Sequence, residues 1–581
     1  MKTSCFLVTF CSLSAAMLYA ADISSPWGVA TSASGMGSAG EWMPRLHEIG
    51  IGTGRAFPEW PSIEPRQGEW HWDRADALVH AATANHFEVT AVMMGKVPWS
   101  SEKGHTFPMS DLAGWSEFFG QCVARYKDRI HYWEVWNEGN GGFNDGHHTA
   151  ADYGRLAAAA YAAAKKADPT TQVGLTTASF DPAYLEHAIL AQKEAGTPGQ
   201  FDYLCIHPYE LADGIGRPNG EIPYLWMTHL LRDELKESAP DKANADIWIT
   251  EIGRNVAHRK DQSVAEHEAA TTLVKLYVMA LAQGIHHVQW FEAQDPVGEE
   301  PGFGLLKRDG TTRATYQAYQ TMIATLGPKP KYLGWVALGE DGRGYGFVFQ
   351  GRETPVLVAW KAAGDPDQQL TFPANVQVRA LSDYASKALE GGDAITLGDE
   401  PVFVSNYPAS LTGPAEASRE EPFPWGGDFS KAHTVSVDLG AAVPSAGVFQ
   451  AGPQTNAIQT FADGTRGLLV GANQGMRFHV HPSFASIHQR EYYVRVTVRR
   501  VAPGNVGMNL HYEVADSHGG SPYHNVGTWF SVKDSEGWQT FTWHVKDACF
   551  AKMWGYDIAL VPEQSQPFVL GKVEVSTELL R

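Results

Sequence analysis

Between residue 25 and about residue 327, short apolar runs alternate with longer stretches whose apolar positions recur every three to four residues. The runs at 27–31, 51–57, 88–94, 132–138, 172–177, 202–207, 247–251 and 287–291 predict strands. The stretches at 42–49, 74–85, 112–127, 150–166, 183–195, 224–237, 264–283 and 314–326 predict helices. Eight strands, each followed by a helix, over roughly 300 residues match the count and size of a (β/α)8 barrel. A doubly wound sheet is the competing arrangement, but no glycine-rich phosphate loop follows the first strand. The barrel is expected over 22–328.

Beyond the barrel the period changes from helical to strictly alternating. Strands are predicted at 344–350, 355–360, 368–372, 376–381 and 401–404, so 329–405 reads as a small β-sandwich. Residues 406–427 hold Pro408, Pro414, Pro422 and Pro424 among Ser, Glu and Gly, and read as a linker. A second all-β pattern follows in 428–581, at 433–439, 467–470, 491–500, 508–514, 538–545, 556–561 and 572–576. A jelly roll is expected there, with Tyr523, Trp529 and Trp554 as loop aromatics suited to carbohydrate binding. It holds no pair of strand-end carboxylates and is assigned no chemistry.

Two of the predicted strands end on a carboxylate. The fourth delivers Asn137 and Glu138 into a loop, and the seventh ends on Glu251. Barrel chemistry sits at the C-terminal ends of strands, and a buried, unpaired charge there costs several kcal/mol, roughly, without a partner. Two facing carboxyls are what cleavage of a glycosidic bond needs: one protonates the leaving oxygen, and the other attacks or activates water. The opposing reading makes Glu138 and Glu251 structural ion-pair partners. His147-His148 and His286-His287 lack ligand spacing on one helix face with a third carboxylate, so no metal and no cofactor are expected.

Composition narrows the partners. A formal charge of −20 argues against nucleic acid or an anionic membrane. Residues 1–20 read as a cleaved signal peptide, with Met1-Lys2 at the start, an apolar core at 6–18 and small residues at Ala20-Ala21. No other run approaches the ~18 apolar residues of a membrane helix, so an exported protein without membrane insertion is expected. Cys122, Cys205 and Cys549 remain, an odd number that speaks for free thiols, with Cys122 and Cys205 read as buried. Trp60, Trp99 and Phe143 fall on loops after strands two, three and four, where large aromatics serve as sugar platforms.

With these residues in place the chain resembles glycoside hydrolase clan A, the retaining (β/α)8 β-glycosidases. The resemblance rests on Trp136-Asn137-Glu138 at the fourth strand and on Thr250-Glu251 with Gly253 at the seventh. Arg55 at the second, His207-Pro208-Tyr209 at the sixth and Trp290 at the eighth add to it. The run from Ile63-Glu64-Pro65 to Trp72-Asp73 is similar to families 39, 42 and 5, and a barrel followed by a sandwich leans toward family 39. One departure is Gly139, where many clan members carry proline.

The resemblance implies that Glu138 is the acid/base and Glu251 the nucleophile of a double displacement on a β-linked poly- or oligosaccharide. It also implies that Asn137 contacts the sugar 2-hydroxyl, that Arg55 and Tyr209 keep Glu251 ionised, and that Trp290 floors the subsite at the cleaved bond. His207 reads either as a substrate contact or as a satisfied core histidine. From another class, the rival is a carbohydrate-binding protein on a retired barrel.

Overall fold

The computed structural model describes residues 25–580 except 299–300, 382–383, 385, 442–444, 453–454, 486, 516–521 and 554. The expected signal segment and Trp554 lie outside the described residues.

Eight parallel strands close into a barrel in sequence order. They are β1 (Trp27–Ala30), β2 (Thr53–Arg55), β3 (Glu88–Met93), β4 (Tyr132–Val135), β5 (Gln172–Ala178), β6 (Tyr203–His207), β7 (Asp246–Ile252) and β8 (Val288–Phe291). β8 returns to pair with β1. Helices including Asp73–Ala84, Leu112–Tyr126, Ala150–Ala167 and Gln262–Ala282 form the outer layer. Strands buried on both faces are why the runs read as continuously apolar rather than alternating. The expected helix at 224–237 divides into Glu221–Leu225 and Met227–Ser238.

The barrel interior is filled by rings. Tyr203 stacks on Trp248 at 4.1 Å, and Trp248 on His287 at 4.0 Å. His287 hydrogen-bonds Gln289 at 3.0 Å, and burial lowers its pKa to about 3. It is a neutral core residue.

Downstream, Lys331–Leu338, Gly344–Gln350, Pro355–Trp360, Val402–Ser405, Val376–Ala380 and Ser386–Leu389 form one antiparallel sheet, with a smaller pair of Gln368–Thr371 and Ala394–Leu397. The linker expectation is corrected here. Ala409–Ser418 is a helix, and the Ser418 hydroxyl donates to the Trp335 carbonyl at 2.6 Å. Gly334, at φ 146, leaves room for the Ala415 carbonyl against the strand. Trp425 is buried against Tyr345 and Phe347. Pro408 at its start and Pro414 inside it masked a packed helix.

The last region is a sandwich of two antiparallel sheets around Val494, Val496, Leu510, Phe478 and Leu560. It is not a tethered module. Phe449, Ile487, Cys549, Ala551 and Met553 belong to the same buried cluster as the barrel. His488 also pairs with Glu186 and Glu237 of the barrel helices, at 3.5 and 3.4 Å. Burial of residues such as Phe449, Ile487 and Met553 contributes about 1.5–3 kcal/mol each. Removing the sandwich would uncover the barrel residues of the same cluster. Among the described residues the three cysteines, Cys122, Cys205 and Cys549, are buried and free.

Candidate active site

Two local irregularities aim the carboxyls. β4 stops at Val135, three residues short of the expected end, and Trp136 and Glu138 take φ of 68° and 49°. Left-handed backbone at non-glycine residues is disfavoured and persists only where surroundings hold it. Here the Trp136 indole donates to the Phe143 carbonyl at 2.7 Å, and the Asn140 amide is fixed between Ala178 and Asp181. In β7 the register with β8 shifts between Ile249 and Ile252. Such a bulge re-aims side chains, so consecutive Thr250 and Glu251 both engage partners at the barrel mouth.

Arg55 organises the centre. Its Nε donates to Glu134 Oε2 at 2.7 Å, Nη1 to Glu251 Oε2 at 3.0 Å and Nη2 to Asn137 Oδ1 at 2.7 Å. Burial opposes its charge, but Glu134 and Glu251 hold its pKa above the ordinary value. The Tyr209 hydroxyl donates to Glu251 Oε1 at 3.0 Å. His207 Nδ1 lies 2.9 Å from Glu138 Oε1, and its Nε2 lies 3.2 Å from Thr250 Oγ1. Burial lowers His207 to about 4, so the ring is neutral near pH 7.

Glu138, His207 and Glu251 bring one donor atom each to within 4.8 Å of one another. That spacing would also admit a cation; the carboxyl chemistry considered below uses none. Burial raises the pKa of both glutamates, but they are not equivalent. On Glu138 only Arg55 opposes the rise, at a distance. On Glu251 it is opposed by Arg55 and by the Tyr209 hydrogen bond, and is assisted by the charge of Glu138. Two neighbouring carboxyls lose their protons in sequence. The one holding a guanidinium and a phenol ionises first.

The structure thus brings Arg55, Asn137, Glu138, His207, Tyr209 and Glu251 together, and three other sequence readings change. His207 is fully buried, so it positions Glu138 rather than offering a surface to substrate. Trp60 is fully buried, stacked on Phe118, with its indole donating to Glu64 at 2.7 Å; it is core, not a platform. Trp290 is fully buried too. His287 and Gln289 point into the barrel, so alternation turns Trp290 outward to the helix layer and Phe291 inward. Phe291 is only part-buried and lies edge-on to Phe303, which in turn meets Tyr209. Trp99 keeps 37% of its surface exposed and stands edge-on to Trp60, as a platform residue would.

Glu134, two residues before Trp136 on β4, is the second carboxylate on Arg55. Gly139 has a local cause as well. A Cβ there would come within 2.7 Å of the Phe107 ring and 3.0 Å of the Tyr184 hydroxyl.

Residues 53–180 match the family model glycosyl hydrolase family 10. That span runs from β2 through β5 and carries Arg55, Asn137 and Glu138. Endo-1,4-beta-xylanase A of Fusarium oxysporum f. sp. lycopersici is 27% identical over 135 residues, 22% of this chain and 41% of that protein. The match therefore spans less than half the length of that curated relative. The fold is similar to that of a family 39 glycoside hydrolase from Bacteroides cellulosilyticus WH2, with a TM-score of 0.53 and 18% identity over 65% of this chain and 80% of that one. A monomeric beta-xylosidase from Caulobacter crescentus CB15 aligns over 66% of this chain and 96% of its own, at a TM-score of 0.48 and 16% identity. The expected likeness to clan A glycosidases, with a lean toward family 39, is borne out. The barrel has the clan A glycoside hydrolase fold.

Proposed function

We propose that the chain is an exported, retaining glycoside hydrolase acting on a β-linked poly- or oligosaccharide. The observation that carries this reading is the close approach of Glu138 and Glu251, one carboxylate oxygen of each lying within 4.8 Å of the other. Retaining enzymes hold their carboxyls about 5–5.5 Å apart, whereas inverting ones need about 6.5–9.5 Å to admit water.

In the first step Glu138 gives its proton to the glycosidic oxygen while the Glu251 carboxylate bonds to the anomeric carbon, and the aglycone alcohol leaves. In the second, Glu138, now ionised, takes a proton from water, whose oxygen displaces Glu251. Asn137, held by Arg55, faces the sugar 2-hydroxyl. The name of the Fusarium endo-1,4-beta-xylanase makes β-linked xylose the first substrate to try. The apolar segment at 6–18 supports export. Among the described residues no helix is long and apolar enough to cross a membrane.

A panel of aryl β-glycosides and soluble polysaccharides tests the reading. Hydrolysis of none of them would leave a carbohydrate-binding barrel.

Supporting residues make a finer prediction. Tyr209→Phe removes a donor that favours ionised Glu251, so the pKa of Glu251 rises and the acidic limb of the kcat/KM profile moves to higher pH. The pH–rate profile checks this, and an unmoved limb at full activity would reduce Tyr209 to scaffold. Arg55→Ala is the poorer probe. It orphans Glu134 as well, and an unpaired buried charge destabilises by about 3–5 kcal/mol.

A further inference from the structure

The sandwich presents a sheet face that the core does not use. Along Gly507–Glu513, Met508, Leu510 and Tyr512 enter the sandwich core. Gly507, Asn509 and His511 therefore face outward. Registers extend one outward row across the neighbouring strands: His511 pairs with Asn525 on one side and Ala559 on the other, and Ala559 pairs with Arg477. Neighbouring strands lie about 4.8 Å apart, so the imidazole and guanidinium strands stand about 10 Å apart, with only the Ala559 methyl between them.

Further along the same strand, the edge of the Trp529 indole packs over Gly507. A Cβ at Gly507 would come within 2.5 Å of its Nε1, so glycine is what lets the indole rest there. Trp529 is 38% exposed, and among the described residues it and Trp99 are the exposed tryptophans.

The row is also held in place. The Asn509 amide donates to Asn525. Arg477 sits 4.7 Å over the Tyr556 ring, which stacks on Tyr523 at 4.2 Å. Arg477 makes no ion pair among the described residues. An exposed indole beside an amide pair, an imidazole and a guanidinium suits a polyhydroxylated ring: its C–H face can stack and its hydroxyls find donors and acceptors.

The face also adjoins the barrel mouth. Tyr556 follows Gly555, where a Cβ would lie 3.4 Å from that of Glu210, and Glu210 follows Tyr209, which touches Glu251.

We propose that this face, built from Trp529, Asn509, His511, Asn525 and Arg477, is a second glycan-binding site that holds polysaccharide beside the catalytic cleft. The choice of glycan as ligand rests on the glycosidase reading. Because the sandwich shares its core with the barrel, the site holds a fixed position. It raises the local concentration of polymer without a flexible tether.

The test uses the full chain carrying Glu251→Gln, so that polymer is not consumed, in affinity electrophoresis through soluble xylan, mannan or hydroxyethylcellulose. Retardation by at least one polymer is expected. Adding Trp529→Ala should weaken it roughly tenfold, the size of one stacking contact, and adding His511→Ala with Arg477→Ala should weaken it independently. In the active chain, Trp529→Ala should leave aryl β-glycoside turnover unchanged and slow polymer cleavage. Retardation unaltered by either set, or no retardation by any polymer in a chain that cleaves aryl glycosides, would overturn the site. A chain that cleaves no aryl glycoside yet is retarded through Trp529 would uphold the site and overturn the catalytic reading.

Discussion

Glu251→Ala should lower turnover on every glycoside by a factor on the order of 10⁴–10⁶, the range seen when a covalent nucleophile is removed. Without it no bond to the anomeric carbon forms, and the remaining acid has no attacking partner. The vacated space lies beside Arg55 and Tyr209, which in the intact enzyme direct three donors at Glu251 and Asn137. A small anion such as azide can enter there. With an activated aryl β-glycoside, azide should restore turnover and yield the α-glycosyl azide, because it attacks from the nucleophile's face. A β-azide product would exchange the roles of the two glutamates. The fold should survive, since removing Glu251 takes away one of two carboxylates on Arg55 and leaves Glu134 in place.

The second large effect is selective. Glu138→Ala should slow substrates with poor leaving groups by roughly 10²–10⁴-fold and those with good leaving groups far less, because acid assistance matters only where the departing oxygen needs a proton. The pH profile should change with it. Burial raises the Glu138 pKa, so in the intact enzyme its proton is present at low pH and lost as pH rises, which sets the basic limb. In Glu138→Ala that limb should disappear while the acidic limb, set by Glu251, remains. Steady-state kinetics over a leaving-group series reads both effects. Equal losses on all leaving groups would remove Glu138 from the acid role.

Most of the barrel was legible because parallel strands covered by helices leave uninterrupted apolar runs. All eight were found, with ends off by a few residues. Both carboxylates were legible as strand-end charges with no local partner. The misplaced aromatics share a cause: an uninterrupted apolar run does not reveal which of its side chains turn inward. Trp290 and Phe291 are adjacent, and only the inward parity of His287 and Gln289 shows which of them faces the mouth. Trp60 follows β2 as a loop residue would, yet it closes a pocket against Phe118 and Glu64 that no local pattern reveals. The helix Ala409–Ser418 was hidden by Pro408 at its N-cap, where proline suits a helix as well as a linker, and by Pro414 inside it, where proline usually breaks a helix. Arg55 was tied to Glu251 by resemblance, but its hold on Glu134 and Asn137 is a long-range fact of barrel closure. Gly139, a departure from the clan pattern, became intelligible only once Phe107 was seen to occupy the space of its missing side chain.

The central claim is double displacement by Glu138 and Glu251 across a short gap. Proton NMR of the first sugar released from a β-glycoside, followed before mutarotation, tests it most directly. The β anomer should appear first and the α anomer only later, by equilibration. Initial appearance of the α anomer would contradict the claim and require a water molecule between the two carboxyls.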